Sequence, residues 1–356
     1  MGDKFLVYFG TNTSKESLGI YCNYFNAKIG IFGKIKLVYE INNPTYQFIS
    51  KSNRILFSTS EVRKTNEHKQ GQLHSFKILN NGNIKLINSV LSGGMGPSYI
   101  DYNPIKNILI TSNIWSGNIS SFKIKDNGHI SRKICTILEK QKGSFKNSKY
   151  QDMSHPHSIN FSSDYNYSIA CDRGSDLITI YKCLDNGNLR INSQYQIKKG
   201  SGPRHMVFDK KNNYIYVLNE LNSSIIMFKY KKNNGEIEYL DSIGTLPNNY
   251  TEQNMTSEIQ ISNCGKFLYC TNRGHNSIAL YHIKKNGRLK ILDHFSTLGN
   301  WPRSFILDPT GKWLIVCNEY SNDVYIFKIN KQNGSLKRCG EKTFVHNPTC
   351  IQFMNN

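Results

Sequence analysis

No stretch of this 356-residue chain approaches the run of about 18 apolar residues that a membrane-spanning helix needs, and the opening MGDKFLVYFGTN lacks the pattern of a secretory signal. A soluble, cytoplasmic protein with no membrane partner is expected. The nine cysteines are odd in number and form no CxxC pair, so neither a disulfide framework nor a zinc site is indicated. Most of them, such as Cys171, Cys270 and Cys317, fall inside runs that read as strands, where cysteine serves as a small buried hydrophobe. No G-x-S-x-G elbow is present, which argues against a serine nucleophile. No His/Asp/Glu spacing suggests a metal, and no cofactor is expected. Acidic residues are scarce, 25 against 45 lysines and arginines, giving a net charge of +20. Yet the lysines occur singly among asparagines, the densest clusters being as short as KKNN, and no basic block alternates with aromatics. The excess reads as a solvated surface rather than a nucleic-acid footprint.

What is abundant is strand-forming material. Hydrophobic residues make up 38% and aromatics 12%, with 21 Tyr and 18 Phe, enough for a large core biased toward β structure. The chain also repeats. NPTYQFISKSNRILFSTSE, GPSYIDYNPIKNILITSNI, HPHSINFSSDYNYSIACDR, GPRHMVFDKKNNYIYVLNE, TSEIQISNCGKFLYCTNR and WPRSFILDPTGKWLIVCNE share one pattern, and NPTCIQF closes the series. Their anchors lie at 44, 97, 156, 203, 256 (a threonine), 302 and 348, six steps of about 51 residues. Asn-Gly pairs at 81–82, 127–128, 186–187, 234–235, 286–287 and 333–334 keep the same phase, each between alternating apolar runs. A degenerate copy, FGKIKL, covers 32–37. Such pairs predict β-hairpins with type I′ turns.

Four short antiparallel strands per unit, repeated seven times, predict an all-β, seven-bladed β-propeller occupying residues 1–356 as a single domain. NPTCIQF supplies only the innermost strand of a unit, and the N-terminal runs KFLVYFGTN, GIYCNYF and KIKLVYEI supply the other three. The ring is therefore expected to close through one blade shared between the termini. In a propeller blade the first strand descends the central channel and the second returns. Residues before strand one and after strand two should therefore meet at one channel mouth. Arg204, His205 and Glu220 occupy these slots, as do His157 with Arg173, Glu258 with Arg273, and Arg303 with Glu319, whereas the second repeat places Ser98, Tyr99 and Ile114 there. The charges converge on one side of the mouth, with an expected positive field suited to an anion.

At these residues the chain resembles a known family. GSGPRHMVF…YVLNELNSS, HPHSINFS, SEIQIS…GKFLYCTNRGHNSI and WPRSFILDPTGKWLIVCNE are similar to the seven-bladed lactonase propellers, which include bacterial 6-phosphogluconolactonases and fungal carboxy-cis,cis-muconate lactonizing enzymes. VYFGTNTSKESLGIY fits the family's start, so the resemblance spans essentially the whole chain. It implies a catalytic cluster of His157, Arg204, Glu220 and Arg273; His205, Glu258, Arg303 and Glu319, placed at the mouth by register alone, are substrate-binding candidates or rim ion pairs. His157 suits acid–base work because imidazole titrates near neutral pH. Arg204 suits a carboxylate, phosphate or oxyanion, which its planar fork grips bidentately. Glu220 could orient Arg204 or His157 or act as the base, and a salt bridge to Glu258 is the rival reading for Arg273. His155 reads as structural, and Asn222, Ser223 and Ser224 as turn formers. The implied function is hydrolysis of a small anionic lactone, foremost 6-phosphogluconolactone in the pentose phosphate pathway. A lactonase or cycloisomerase for another acidic lactone, such as a muconolactone, and a non-catalytic binding scaffold are the alternatives. A polar insertion from Gln141 to Ser154 precedes HPHS and could cover the pocket.

Overall fold

The computed structural model describes residues 3–62, 69–138, 142–144 and 150–354. Within them the chain forms seven antiparallel sheets in ring order. Blade 1 spans residues 47–91, blade 2 97–138, blade 3 156–196, blade 4 203–244, blade 5 255–296 and blade 6 302–344. Blade 7 joins Pro348–Met354 to the N-terminal strands, with Leu6 opposite Met354 and Phe9 opposite Ile351. The shared closing blade is thus as expected. Its outer position is split, because Ile31–Phe32 and Lys36–Glu40 pair with different parts of Gly19–Asn26.

The second strand of each blade is buried on both faces, which is why it carries apolar residues at consecutive positions rather than in alternation. In Tyr214–Asn219, Ile215 and Val217 pack toward blade 3 while Tyr216 and Leu218 pack toward blade 5. Seven hydrophobic clusters result, each filling the space between two consecutive blades. The cluster that seals the ring sets Phe25 and Phe353 edge-to-face at 5.7 Å and Trp313 of blade 6 edge-on to Phe25. Cys171, Cys270 and Cys317 are buried in second strands, as their surroundings suggested.

The Asn-Gly hairpins form, but not as type I′ turns. Only the glycines take positive φ, from 73° at Gly235 to 89° at Gly128, and none of the six asparagines does. In blade 1, Gly82 N donates to Leu79 O and Leu79 N to Asn83 O, a three-residue loop in which a type I turn ends on a left-handed glycine. The asparagine is selected for another reason. Its Oδ1 accepts the N–H two residues on in all six hairpins, for example Asn83 N to Asn81 Oδ1 at 3.0 Å. The hairpins also tie blades together: Tyr8, Tyr216 and Tyr269 each donate a hydroxyl to the hairpin glycine carbonyl of the following blade.

A buried charge cluster at one channel mouth

Each inner strand starts at the mouth, and the second strand ends beside it. Pro203 faces Asn219, Pro156 faces Asp172 and Pro302 faces Asn318. In all three blades the pairing then skips one residue: His157, Arg204 and Arg303 are the extra residues of β-bulges. A bulge leaves its extra residue outside the ladder and re-aims the side chain, so these three come from equivalent positions of three blades.

Glu220, just past the second strand of blade 4, is the centre of the cluster. Its Oε1 accepts Arg273 Nη2 at 2.8 Å and its Oε2 accepts Arg173 Nη1 at 3.3 Å. Arg204 Nε faces Oε2 at 3.7 Å, too long for a hydrogen bond. All four residues are at most 5% exposed. Burial alone would raise the Glu220 pKa, but the guanidiniums of Arg173, Arg273 and Arg204 outweigh it and hold the carboxyl at about 2. Glu220 is therefore a permanent anion at neutral pH and a poor proton acceptor. Arg273 is fixed further by Thr256 O at 2.7 Å, and Glu258, its rival partner, pairs with His205 instead.

His157 lies among these charges, its ring 5.2 Å from that of His205. Burial first, then Arg204, His205, Arg173 and Arg303, push its pKa well below the ordinary 6.5, so it is neutral at pH 7. His205 accepts a bond from Arg204 Nη1 on Nε2 (3.1 Å), so its proton sits on Nδ1 and is donated to Glu258 at 3.2 Å. Tyr46 and Tyr99, stacked at 4.1 Å, abut His205 edge-on and floor the site. Between these residues is a cavity of about 10 Å³, lined among others by His157, Arg204, His205, Glu258 and Arg303. That is room for roughly one water.

Arg303 stands apart from the Glu220 cluster. It lies 3.2 Å from Glu319 and 3.8 Å from Glu61, and although burial opposes it, these two carboxylates raise its pKa. Glu319 also accepts Asn12 Nδ2 at 3.2 Å, tying blade 6 to the closing blade. With Glu61 included, four carboxylates face four guanidiniums across the mouth, so positive charge is not in excess over these eight residues as a whole. The excess is local: three arginines surround one carboxylate at Glu220, and the Arg303 corner is the reverse. Glu61 occupies in the first repeat the slot of Glu220 and Glu319, and that shared register was the signal for it. Arg173 follows the same register, although motif matching alone passes over it. The aromatic neighbours carried no such signal: Tyr150 lies over Arg173 at 4.9 Å, and Trp301, stacked on Tyr320 at 4.8 Å, lies against Arg273 at 5.3 Å.

Several buried nitrogens in the cluster lack a hydrogen-bond partner among the described residues: the donors Arg173 Nε and Nη2 and Arg204 Nε, and the ring nitrogen His157 Nδ1. A groove of about 500 Å³ lies on the far side of Tyr150, the ring that covers Arg173, and is lined also by Leu221, Asn222 and Asn254. The larger cavity, about 810 Å³, is at the opposite end of the channel and holds none of these residues. Of the Gln141–Ser154 insertion, read from the sequence as a cover for the pocket, Gln141 and residues 145–149 lie outside the described residues. His155 is structural, its ring nitrogens bonded to Ile114 O and Asp152, both at 2.7 Å. Ser223 takes φ 51° and Ser224 Oγ bonds Asn222 Oδ1, forming the turn expected there. Among the described residues no three His, Cys, Asp or Glu side chains group as metal ligands, and no helix is long and apolar enough to cross a membrane.

The family model described as "Lactonase, 7-bladed beta-propeller" matches residues 6–353. The chain is 30% identical over 354 residues to the 6-phosphogluconolactonase of Bacillus subtilis, covering 99% of both. It is 32% identical over 358 residues to the 6-phosphogluconolactonase of Formosa agariphila, covering 97% of this chain and 98% of that one. A crystal structure of a protein from Lactobacillus plantarum superposes with a TM-score of 0.92 at 28% identity, covering 99% and 100% of the two chains.

Proposed function

The chain belongs to the seven-bladed β-propeller lactonases, and from that premise we propose that it hydrolyses 6-phosphoglucono-1,5-lactone to 6-phosphogluconate. It is a lactone hydrolase by family, and its full-length relatives bear that substrate's name. The observation that carries the reading is the set of buried, unpartnered guanidinium N–H groups of Arg173 and Arg204 next to a neutral His157. Buried donors without acceptors are costly, so they mark a place prepared for an acceptor that arrives with the substrate. An anionic or developing oxyanionic oxygen supplies it.

In this reading His157 takes a proton from water as the water oxygen attacks the ring carbonyl carbon. Its lowered pKa keeps the imidazole unprotonated and ready at neutral pH. The carbonyl oxygen becomes an oxyanion facing Arg204, whose own charge burial and Arg273 disfavour. The arriving negative charge relieves that penalty, so the stabilisation grows as the transition state forms. Collapse breaks the bond from C1 to the ring oxygen, and His157 returns its proton to the departing alkoxide. Glu220 holds the arginines in place and transfers no proton. The hydroxylated tail lies in the groove beside Tyr150 and Asn254, with the phosphate on the Arg173 side, where positive charge is in excess.

Purified protein assayed on 6-phosphogluconolactone, gluconolactone and a muconolactone tests this. One charge-assisted bond contributes about 1.5–3 kcal/mol, or roughly 10- to 150-fold. The phosphorylated lactone should therefore show a kcat/KM at least tenfold above gluconolactone after subtraction of the spontaneous reaction. Equal values would remove the phosphate from the assignment, and preference for the muconolactone would replace the substrate.

A further inference from the structure

The turn that follows the second strand ends on a left-handed residue in five blades: Gly117, Asp176, Ser223, Asn276 and Asn322, with φ between 51° and 64°. Glycine and asparagine are ordinary there, because both tolerate that backbone. In blades 5 and 6 the asparagine also latches the chain entering the next blade. Asn276 Oδ1 accepts Trp301 N at 2.9 Å, and Asn322 Oδ1 accepts Asn347 N at 2.8 Å. Trp301 stands two residues before Arg303. At the equivalent place in blade 3 stands a carboxylate, fully buried, and its latch falls two residues before Arg204.

Asp176 does more than its asparagine counterparts. Its Oδ1 accepts Gly202 N at 2.6 Å and its Oδ2 accepts Gly200 N at 2.7 Å. The same Oδ2 accepts Gln151 Nε2 at 2.9 Å and a hydroxyl bond from Ser144, both from the insertion before blade 3. Gln151 Nε2 also donates to the backbone carbonyl of Arg173 at 3.0 Å. On the other side, Gly202 O accepts Glu220 N at 2.7 Å. Gly202 itself must be glycine: its φ is 65°, and a Cβ would meet Leu221 at 2.5 Å. One carboxylate is thus a bond or two from the backbones of Arg173, Arg204 and Glu220. Burying a charge with no cation against it among the described residues is expensive, and a neutral asparagine suffices as a latch in blades 5 and 6. What the charge adds is hold on four donors at once, each bond stronger than its neutral equivalent.

We propose that Asp176 is a positioning residue of the active site, fixing Arg204 through Gly202 and Arg173 through Gln151, so that both guanidiniums meet the substrate preset. The proposal rests on the lactonase reading for its kinetic consequences, but its geometric content does not. The test is Asp176→Asn, which keeps one latch oxygen as Asn276 and Asn322 do, with Gln151→Ala as a second variant that cuts only the tie to Arg173 and the insertion. Misplacing a reacting group by about 1 Å can lower a rate roughly 100-fold. D176N should lower kcat at least tenfold while KM changes less than threefold. In an Arg204→Ala background the same substitution should change kcat no more than Gln151→Ala does in the wild-type protein, because only the route through Gln151 to Arg173 is left to disturb. Q151A should lower kcat several-fold. Unchanged kcat in both variants, or a D176N effect that persists undiminished without Arg204, overturns the proposal. Should the wild-type protein hydrolyse no lactone, the functional reading fails alone. The crystal structure of D176N then decides, with Arg204 displaced by about 1 Å supporting the role and an unmoved guanidinium rejecting it.

Discussion

Replacing Glu220 with glutamine keeps the shape of the side chain and deletes the charge at the centre of three buried arginines. The carboxyl titrates at about 2 in the fold against an ordinary 4.5, and a depression of that size corresponds to about 3 kcal/mol of native-state stability. Removing one partner of a buried ion pair typically costs about 3–5 kcal/mol, so the two routes agree in magnitude. The pH dependence identifies the source. A depressed carboxyl pKa stabilises the fold fully above about pH 4.5, where the unfolded chain is also ionised. The contribution fades as the unfolded chain takes up a proton that the folded state still refuses, and it is gone below the folded value of about 2. Linkage leaves only about 1 of the 3 kcal/mol at pH 3. Urea unfolding of both proteins from pH 8 to pH 3 should therefore show wild type ahead by about 3–5 kcal/mol at neutral pH, with the gap narrowing by about 2 kcal/mol at the acid end. A gap below about 1 kcal/mol at pH 7, or one that does not change with pH, would mean that Glu220 is not the counter-ion of the arginines.

Two other outcomes follow from the site and the ring. His157→Gln should lower kcat by roughly 10²- to 10⁴-fold with an unchanged urea midpoint; because its pKa is depressed, wild-type kcat/KM should stay level from pH 8 down through the ordinary histidine value of 6.5 and fall only below it, and an acid limb centred at or above 6.5 would contradict a neutral buried imidazole. Deleting residues 347–356 removes the inner strand that carries Cys350, Ile351, Phe353 and Met354, all at most 4% exposed, and should leave insoluble protein, while Phe353→Ala alone should cost about 3–5 kcal/mol in urea unfolding; a truncated chain that melts like the full-length one would refute closure through the shared blade.

The ring could be read from the sequence because it follows from short-range patterns repeated in phase. Proline anchors mark six of the seven inner strands, Asn-Gly marks six of the seven outer hairpins, and strand two is rich in apolar and small residues since neighbours cover both its faces. The turn type could not be read, because Asn-Gly satisfies either a type I′ turn or a type I turn ending on a left-handed glycine. Asparagine's bond to the N–H two residues on favours the second.

The site was legible to the extent that it follows register. Slots before strand one and after strand two hold His157, Arg173, Arg204, Glu220, Arg273, Arg303 and Glu319, and the fold brings all seven to one mouth. Pairing within the slots was not legible, since it depends on β-bulges at His157, Arg204 and Arg303 that leave no mark of their own in composition or spacing. Two slot residues with the same sign pattern consequently have opposite surroundings. Arg204 faces a carboxylate already shared with two other arginines, so it retains capacity for an incoming anion. Arg303 has two carboxylates to itself and retains none. The difference comes from Glu61, contributed by a blade nearly 250 residues away along the chain. In a closed ring, a residue's electrostatic role is set by the neighbour that the closure supplies. That is why Arg204 is placed with the chemistry and Arg303 with the architecture that joins blades 6 and 1 across the mouth.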